Sequence, residues 1–382
     1  MMMKVVIATD SLKGSLSSVE AGRALAAGIK KAAEAEVKIV PMADGGEGTA
    51  EALVDGMGGQ WEEVLVTGPL GNPVTARYGY IKDKKQAVIE MASAAGITLV
   101  QERERDIMKA GTRGVGEMIR DAVERGCRDF LIGIGGSATN DCGTGMLCAL
   151  GAEFLDREGK HVGNKGEDCG QIVTIRLNGM MPELKECRFC IACDVTNPLY
   201  GENGASCIFG PQKGGTKEQV RRMERMHRQF ADLTKRTIGK DVAACPGAGA
   251  AGGLGFAFLA FLNASLEPGI DLVMRAVGLE ECVRDADYVI TGEGCLDAQT
   301  VMGKVPAGVA RLAKKYGAVV IAVAGSVKEE AYLCNRAGID AFFPIMPGAI
   351  RLEDAMRPDE TARNLNRTAE QIFRLLTASR SG

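Results

Sequence analysis

Six short clusters in this chain mix glycine with carboxylate, amide and lysine side chains. The densest runs from Leu131 to Met146, LIGIGGSATNDCGTGM. Its glycines let a backbone come close to a ligand. Exposed N–H groups beside a helix start make an anion site, here around Gly135, Gly136, Ser137 and Asn140. Asp141 next to such donors suggests a metal carried in with a phosphate. A crowded strand-to-helix turn with no ligand would read the same way.

The other clusters carry the same ambiguity singly. Asp10-Ser-Leu-Lys13-Gly-Ser15 offers a lysine and a hydroxyl for phosphate, or a surface turn. Asp44-Gly45-Gly46-Glu47-Gly48 places two carboxylates among three glycines, suited to Mg²⁺ or a substrate hydroxyl, or to a plain turn and cap. Asp194-Val-Thr-Asn197-Pro198 suits a metal or substrate, or an Asx-turn before proline, and leads to Gly210-Pro-Gln-Lys213-Gly214. Pro246–Gly253 contains a formal G-x-G-x-x-G at Gly247, Gly249 and Gly252. No strand pattern precedes it, so it fails the dinucleotide context and reads as a glycine-rich helix start, packing or cradling phosphate. Thr291-Gly-Glu293-Gly-Cys-Leu-Asp297-Ala-Gln299-Thr300, followed by Gly303-Lys304, lacks the spacing of a Walker loop. Together the clusters form a toolkit for phosphoryl transfer: donors and lysines for phosphates, carboxylates for Mg²⁺ and for the attacking hydroxyl.

These clusters end strands or open helices, where ligands of parallel sheets bind. Lys4–Thr9 is a β-branched run, and Ser17 or Ser18 caps an amphipathic helix over 19–33 with Glu20 in its first turn. Val37–Val40 is the next strand and 49–55 the next helix, a β-α-β-α opening. From Trp61 short strands and Gly-Pro and Asn-Pro turns read as an antiparallel meander. Helices are expected over 111–125, 217–237 and, apolar and glycine-interrupted, 250–262; strands over 130–134, 153–155, 171–175 and 188–193. The alternating pattern returns from Ala286, with strands at 288–291, 318–324 and 341–345 and helices at 305–315, 328–337 and 361–377. The expected architecture is α/β in two domains: a parallel-sheet Rossmann/flavodoxin-like domain from residues 1–66 and 286–382, and an inserted mixed α/β domain, 67–285, with the active site in the cleft between them.

Composition narrows the class of function. A net charge of −3 with both signs dispersed argues against nucleic-acid binding and against a polybasic membrane patch. The first residues, MMMKVVIATD, enter a strand directly, without the features of a signal peptide, so a cytoplasmic location is expected. The 12 cysteines are then reduced thiols. Cys187, Cys190 and Cys193 lie three apart, but their segment reads as a strand and lacks a fourth ligand. His161 and His227 sit among polar residues and are expected at the surface, so histidine acid–base chemistry is not anticipated.

The motifs DSLKGSLSS, PMADGGEGT, GIGGSATNDCGTGM, CDVTNPLYG, FGPQKG, PGAGAAGGLG and TGEGCLDAQTVMGKVPAGVA, in this order, resemble the bacterial glycerate kinase type-1 family over essentially the whole chain. The resemblance implies ATP-dependent phosphorylation of D-glycerate, usually at the 2-hydroxyl, a two-domain α/β architecture and a Mg²⁺ requirement. Leu12 stands where the family usually has Phe, and Asn140-Asp141-Cys142-Gly143-Thr144-Gly145 replaces N-D-G-G-A-G. Positions after strands single out Asp44, Asp194 and Glu293 as the carboxylates nearest the chemistry. Lys13 and Lys304 are candidates for stabilising the phosphoryl charge. Gly135-Gly136 and Gly247, Gly249 and Gly252 are candidates for nucleotide phosphates. Ser15, Gly45, Gly46, Glu47, Ser137, Asn140, Asn197, Asp297, Gln299 and Thr300 complete the substrate and phosphate contacts, with Asp141 and Asp194 for Mg²⁺. The partners are then D-glycerate and ATP, with the choice between monomer and homodimer open. Phosphorylation at the 3-hydroxyl, a nicotinamide-dependent oxidoreductase using Gly133-x-Gly135, and a non-catalytic organic-acid sensor are the competing readings.

Overall fold

The structure, a computed structural model, describes residues 2–380, with Arg380 by its backbone alone. Its contacts divide the chain into two units. One runs from the amino terminus to Asp44, takes in Glu51–Gly58 and resumes at Ile270; the other holds Gly45–Ala50 and Gly59–Gly269.

The first unit is built on five parallel strands: Met3–Thr9, Ala35–Ile39, Tyr288–Leu296, Val319–Val327 and Ala341–Pro344. Numbered along the chain, their spatial order is 2-1-3-4-5. This is the flavodoxin-like order, with its switch point between Met3–Thr9 and Tyr288–Leu296. The central strands are buried along most of their length and carry apolar runs, Val5–Ala8, Val289–Ile290 and Val320–Ala324, because both sheet faces are covered. Helix Ser18–Ala32 starts on a full capping box, Ser17 with Glu20. It packs against Pro358–Arg380, and a Cβ at Gly28 would overlap the Asn366 carbonyl oxygen, so glycine permits that close crossing. Val5, Ile7, Leu25, Ile29, Ile290, Val323, Leu365 and Phe373 fill the core beneath.

The second unit carries a mixed six-stranded sheet in the order Ser265–Glu267, Arg188–Ala192, Asp129–Gly133, Gln86–Glu90, Pro73–Ile81, Gln60–Thr67. Pro73–Ile81 pairs antiparallel with Gln60–Thr67 on one side and with Gln86–Glu90 on the other, forming the expected meander; the remaining pairings are parallel. A small antiparallel sheet, Glu153–Leu155 with His161–Val162 and Thr174–Arg176, completes it. Phe130 stacks on Phe189 at 4.8 Å between centroids, and Phe154, Phe230 and Phe256 extend this core.

Several expectations shift. Gln60–Thr67 pairs along its length with Pro73–Ile81 and therefore lies in the second unit, not before a boundary near residue 66. Ile270–Asp285 falls in the first unit. The strand beginning at Tyr288 continues to Leu296, because Val319–Val327 pairs with it that far; Glu293 lies within a strand and not in a loop. The segment expected as one helix over 328–337 is a 3₁₀ turn, Glu329–Tyr332, followed by the short helix Leu333–Arg336. The strand expected at 171–175 is confined to Thr174–Arg176. Among the described residues, no helix is long and apolar enough to cross a membrane.

Candidate functional site

In the first unit, carboxylates gather where the switch point lies. Asp10 follows Met3–Thr9 directly, and its N–H donates to the Gly292 carbonyl across that point. Its carboxylate accepts from the Ser11 N–H at 2.7 Å and is 4% exposed. Burial first and the Asp44 carboxylate second push it up to about 7; the Ser11 N–H and Lys13 pull the other way, and Glu293 adds a smaller push upward. Glu293 is buried in the neighbouring strand; it accepts from Thr300 Oγ1 at 2.6 Å and lies 3.7 Å from Lys304 Nζ. Burial raises its pKa, Thr300 and Lys304 oppose the rise, and Asp297 and Asp44 add to it. The Thr9 and Thr291 hydroxyls, on the facing strands, are buried without a hydrogen-bond partner. This is acid–base equipment: carboxylates held partly desolvated, with cations at hand.

In the second unit, the glycine loop after Asp129–Gly133 is held by buried polar groups. Lys213 is buried and donates from Nζ to Ser137 Oγ at 2.7 Å and to the Thr139 carbonyl at 2.8 Å. Burial lowers its pKa to about 7, with Asp141 opposing. Asn140 Nδ2 donates to Ser206 Oγ at 3.0 Å, and His227 Nε2 lies 3.1 Å from the Asn140 carbonyl oxygen. His227 is fully buried, not at the surface as its polar neighbours suggested, because its helix turns it inward; burial lowers its pKa to about 4, so the ring is neutral. His161 is exposed as expected.

Asp141 does not sit as a metal ligand. It is fully buried, and its carboxylate accepts four hydrogen bonds, from the Thr112 N–H and hydroxyl and from the Gly143 and Gly145 N–H groups. The carboxylate ties the loop to the helix Arg113–Glu124, its hydrogen bonds made inside the protein and its surface closed to solvent. Asp194 is exposed, with Oδ1 accepting from the Gly269 N–H at 2.9 Å. As a solvent-facing hard oxygen donor it fits Mg²⁺, which takes one or two carboxylates plus substrate phosphates. Among the described residues, no three His, Cys, Asp or Glu side chains form a ready metal site.

The glycines divide by role. Gly135 and Gly136 are exposed at the strand end, with Gly136 at φ +69°. Gly247, Gly249 and Gly252 are buried. A Cβ at Gly249 would overlap the Pro198 carbonyl and one at Gly252 the Thr139 carbonyl, so these two glycines permit close backbone packing. The expected glycine interruption is real: Ala251, Gly252 and Gly253 take φ of 51°, 66° and 89° inside Ala250–Phe261. The motif at Asp44 straddles the division of the chain, with Asp44 in the first unit and Gly45, Gly46 and exposed Glu47 in the second. The Gly45 carbonyl lies against Gly133, and Asp194 Oδ2 lies beside Gly45. Ser15 Oγ is hydrogen-bonded to Thr361 Oγ1 at 2.7 Å, Asn197 Nδ2 donates to the Asn203 carbonyl, and Asp297 pairs with Lys328 at 3.1 Å while accepting from the Gln299 N–H. Lys13 and Gln299 are exposed.

Three residues join the candidates that sequence reading did not place among them. Asp10 sits directly after the first strand, in the same cluster as Lys13. Lys213 lies in the noted Gly-Pro-Gln-Lys-Gly motif. Glu90 ends Gln86–Glu90 and accepts from the Ala50 N–H at 2.8 Å; its pKa is raised by burial, and nothing local in its segment marks it.

The sequence profile described as the glycerate kinase family matches residues 5–377. The glycerate kinase of Bacillus subtilis (strain 168) is 46% identical over 371 residues, 97% of each chain. The glycerate 2-kinase of Escherichia coli (strain K12) is 46% identical over 356 residues, 93% of each chain. A solved structure from Salmonella typhimurium LT2, described as a glycerate kinase 2, superposes with a TM-score of 0.93 at 43% identity, covering 100% of both chains.

Proposed function

The chain belongs to the glycerate kinase family, and from that premise we propose that it transfers the γ-phosphoryl group of ATP to the 2-hydroxyl of D-glycerate, giving 2-phospho-D-glycerate and ADP in the cytoplasm. The observation that carries the reading is the carboxylate group at the switch point, where Asp10 is pushed up to about 7 beside Asp44 and Glu293. A carboxylate poised near the working pH accepts a proton from the attacking hydroxyl as the new P–O bond forms and the bond to ADP breaks. Asp10 takes that role, with Asp44 and Glu293 orienting the hydroxyl. Lys304, 3.7 Å from Glu293, and Lys13, which stabilises the ionised form of Asp10, face the charge of the phosphoryl group. Within the second unit, Gly135, Gly136 and Ser137 are candidate anion donors and Asp194 is the residue suited to hold Mg²⁺, which when bound would neutralise phosphate charge. The choice of the 2-hydroxyl is supported by the name of the E. coli relative.

Purified protein incubated with MgATP and D-glycerate, its product resolved by ³¹P NMR, tests this. A 2-phosphoglycerate resonance is expected. A 3-phosphoglycerate resonance would keep the kinase and overturn the hydroxyl. No phosphorylated product from D-glycerate, L-glycerate or related hydroxy acids would overturn the reaction itself.

A further inference from the structure

The first unit contains a cavity of about 450 Å³ at the carboxyl ends of its parallel strands. Its rim is formed by Lys13 and Met346, which follow the first and fifth strands along the chain, and by Gly294 and Ser326, near the carboxyl ends of the third and fourth. Leu12 and Ile345 are buried in its wall, while Ile350, Leu352 and Met356 remain 46%, 73% and 37% exposed around it. Large apolar side chains left in solvent around one opening mark a binding surface. The volume is of the size that takes a drug-sized ligand. A small, doubly polar acid such as glycerate gains little from such walls, whereas a flat heteroaromatic ring gains much.

Two residues link the cavity to the carboxylates described above. Lys13 lines it and lies close enough to Asp10 to stabilise that residue's charge; Gly294 lines it and is the residue after Glu293. A ligand seated against Met346 and Ile350 would therefore lead, past Lys13, to the acid–base group. We propose that this cavity holds the adenine nucleoside of the phosphoryl donor, which places nucleotide recognition in the unit built from the two chain ends. This rests on ATP being the donor. Gly348 keeps the mouth open: an added Cβ there meets nothing within 4 Å, and its backbone is not in the left-handed region. Side-chain bulk can therefore be added to this lining residue without disturbing the fold.

The test combines Gly348→Val with photolabelling. In the variant, KM for ATP rises at least about tenfold while KM for D-glycerate stays within about twofold. Ile350→Glu, which sets a carboxylate at the same mouth, gives the same split. Wild-type protein irradiated with 8-azido-ATP carries its label in peptides spanning 345–356. An active enzyme whose label falls only within 59–269, or whose KM for ATP is unmoved by both substitutions, overturns the cavity assignment and leaves the kinase reading intact. Wild-type protein that neither consumes ATP with D-glycerate nor takes up label overturns both.

Discussion

Asp10 and Asp141 are both buried carboxylates, yet their surroundings give them opposite uses. Asp141 meets four donors and is structural; Asp10 meets the Ser11 N–H and two other carboxylates. Asp10 is raised from 3.8 to about 7, so the native state holds its proton more tightly than the unfolded chain does. Its contribution to stability is present at low pH and is lost as pH rises through about 7. Asp10→Asn, whose side-chain oxygen still accepts from Ser11, should therefore gain on wild type by about 2–3 kcal/mol between about pH 5 and about pH 8. Urea unfolding of both proteins at the two pH values measures this, and a pH-independent difference would refute it. Asp141→Asn presents an amide to donors that need an acceptor. It should cost at least about 3 kcal/mol in the same assay while leaving the Mg²⁺ dependence of whatever protein stays folded unchanged. A weakened Mg²⁺ dependence in that variant would restore Asp141 as a ligand. Cys142 occupies the left-handed region at φ +52°, which gives a physical reason for glycine in the family's usual pattern at that position.

Among elements, the glycine-rich helix start Pro246–Gly253 separates two uses of glycine. Gly252 is at φ +66° with the Thr139 carbonyl in the place of a Cβ, and the Cys142 N–H donates to the Gly252 carbonyl at 3.0 Å. Gly278 has the same φ of +66° with nothing within 4 Å. Gly278→Ala should cost only the backbone term, about 1 kcal/mol, while Gly252→Ala adds a clash with fixed backbone and should cost several-fold more. Thermal melts of the two variants side by side decide it; equal losses would mean that the Gly252 contact relaxes freely. Capped and amphipathic helices such as Ser18–Ala32 were legible in the sequence to within a residue or two, because their signals are local. The extension of Tyr288–Leu296 through Thr-Gly-Glu-Gly was not, because the residues it pairs with lie 31 positions later in the chain. A glycine–carboxylate run reads as a loop until a distant strand pairs with it.

At the scale of the molecule, each unit has its own sheet and its own apolar cluster. Val5, Ile7, Ile290 and Phe373 belong to one, Phe130, Phe154, Phe189 and Phe256 to the other. Cores filled separately favour unfolding in more than one step. Differential scanning calorimetry should give a van't Hoff enthalpy smaller than the calorimetric one; equal enthalpies would show that the two cores melt as one. The chain supplies the first unit from both ends, so its strands 1 and 3, and with them Asp10 and Glu293, are neighbours across a long separation in sequence.

The sequence by itself determined the class of chemistry, the α/β alternation, the meander and the family, because residue types, periodicity, caps and motif order are local properties of the chain. Tertiary structure alone decided which carboxylates share a field, that Asp141 ties a loop, that His227 is buried, and that Gly249 and Gly252 pack against backbone. Those outcomes depend on burial and on strand pairing between residues far apart in the chain. A side chain's desolvation and its nearest charges are set by those long-range contacts, and no window of the sequence contains them.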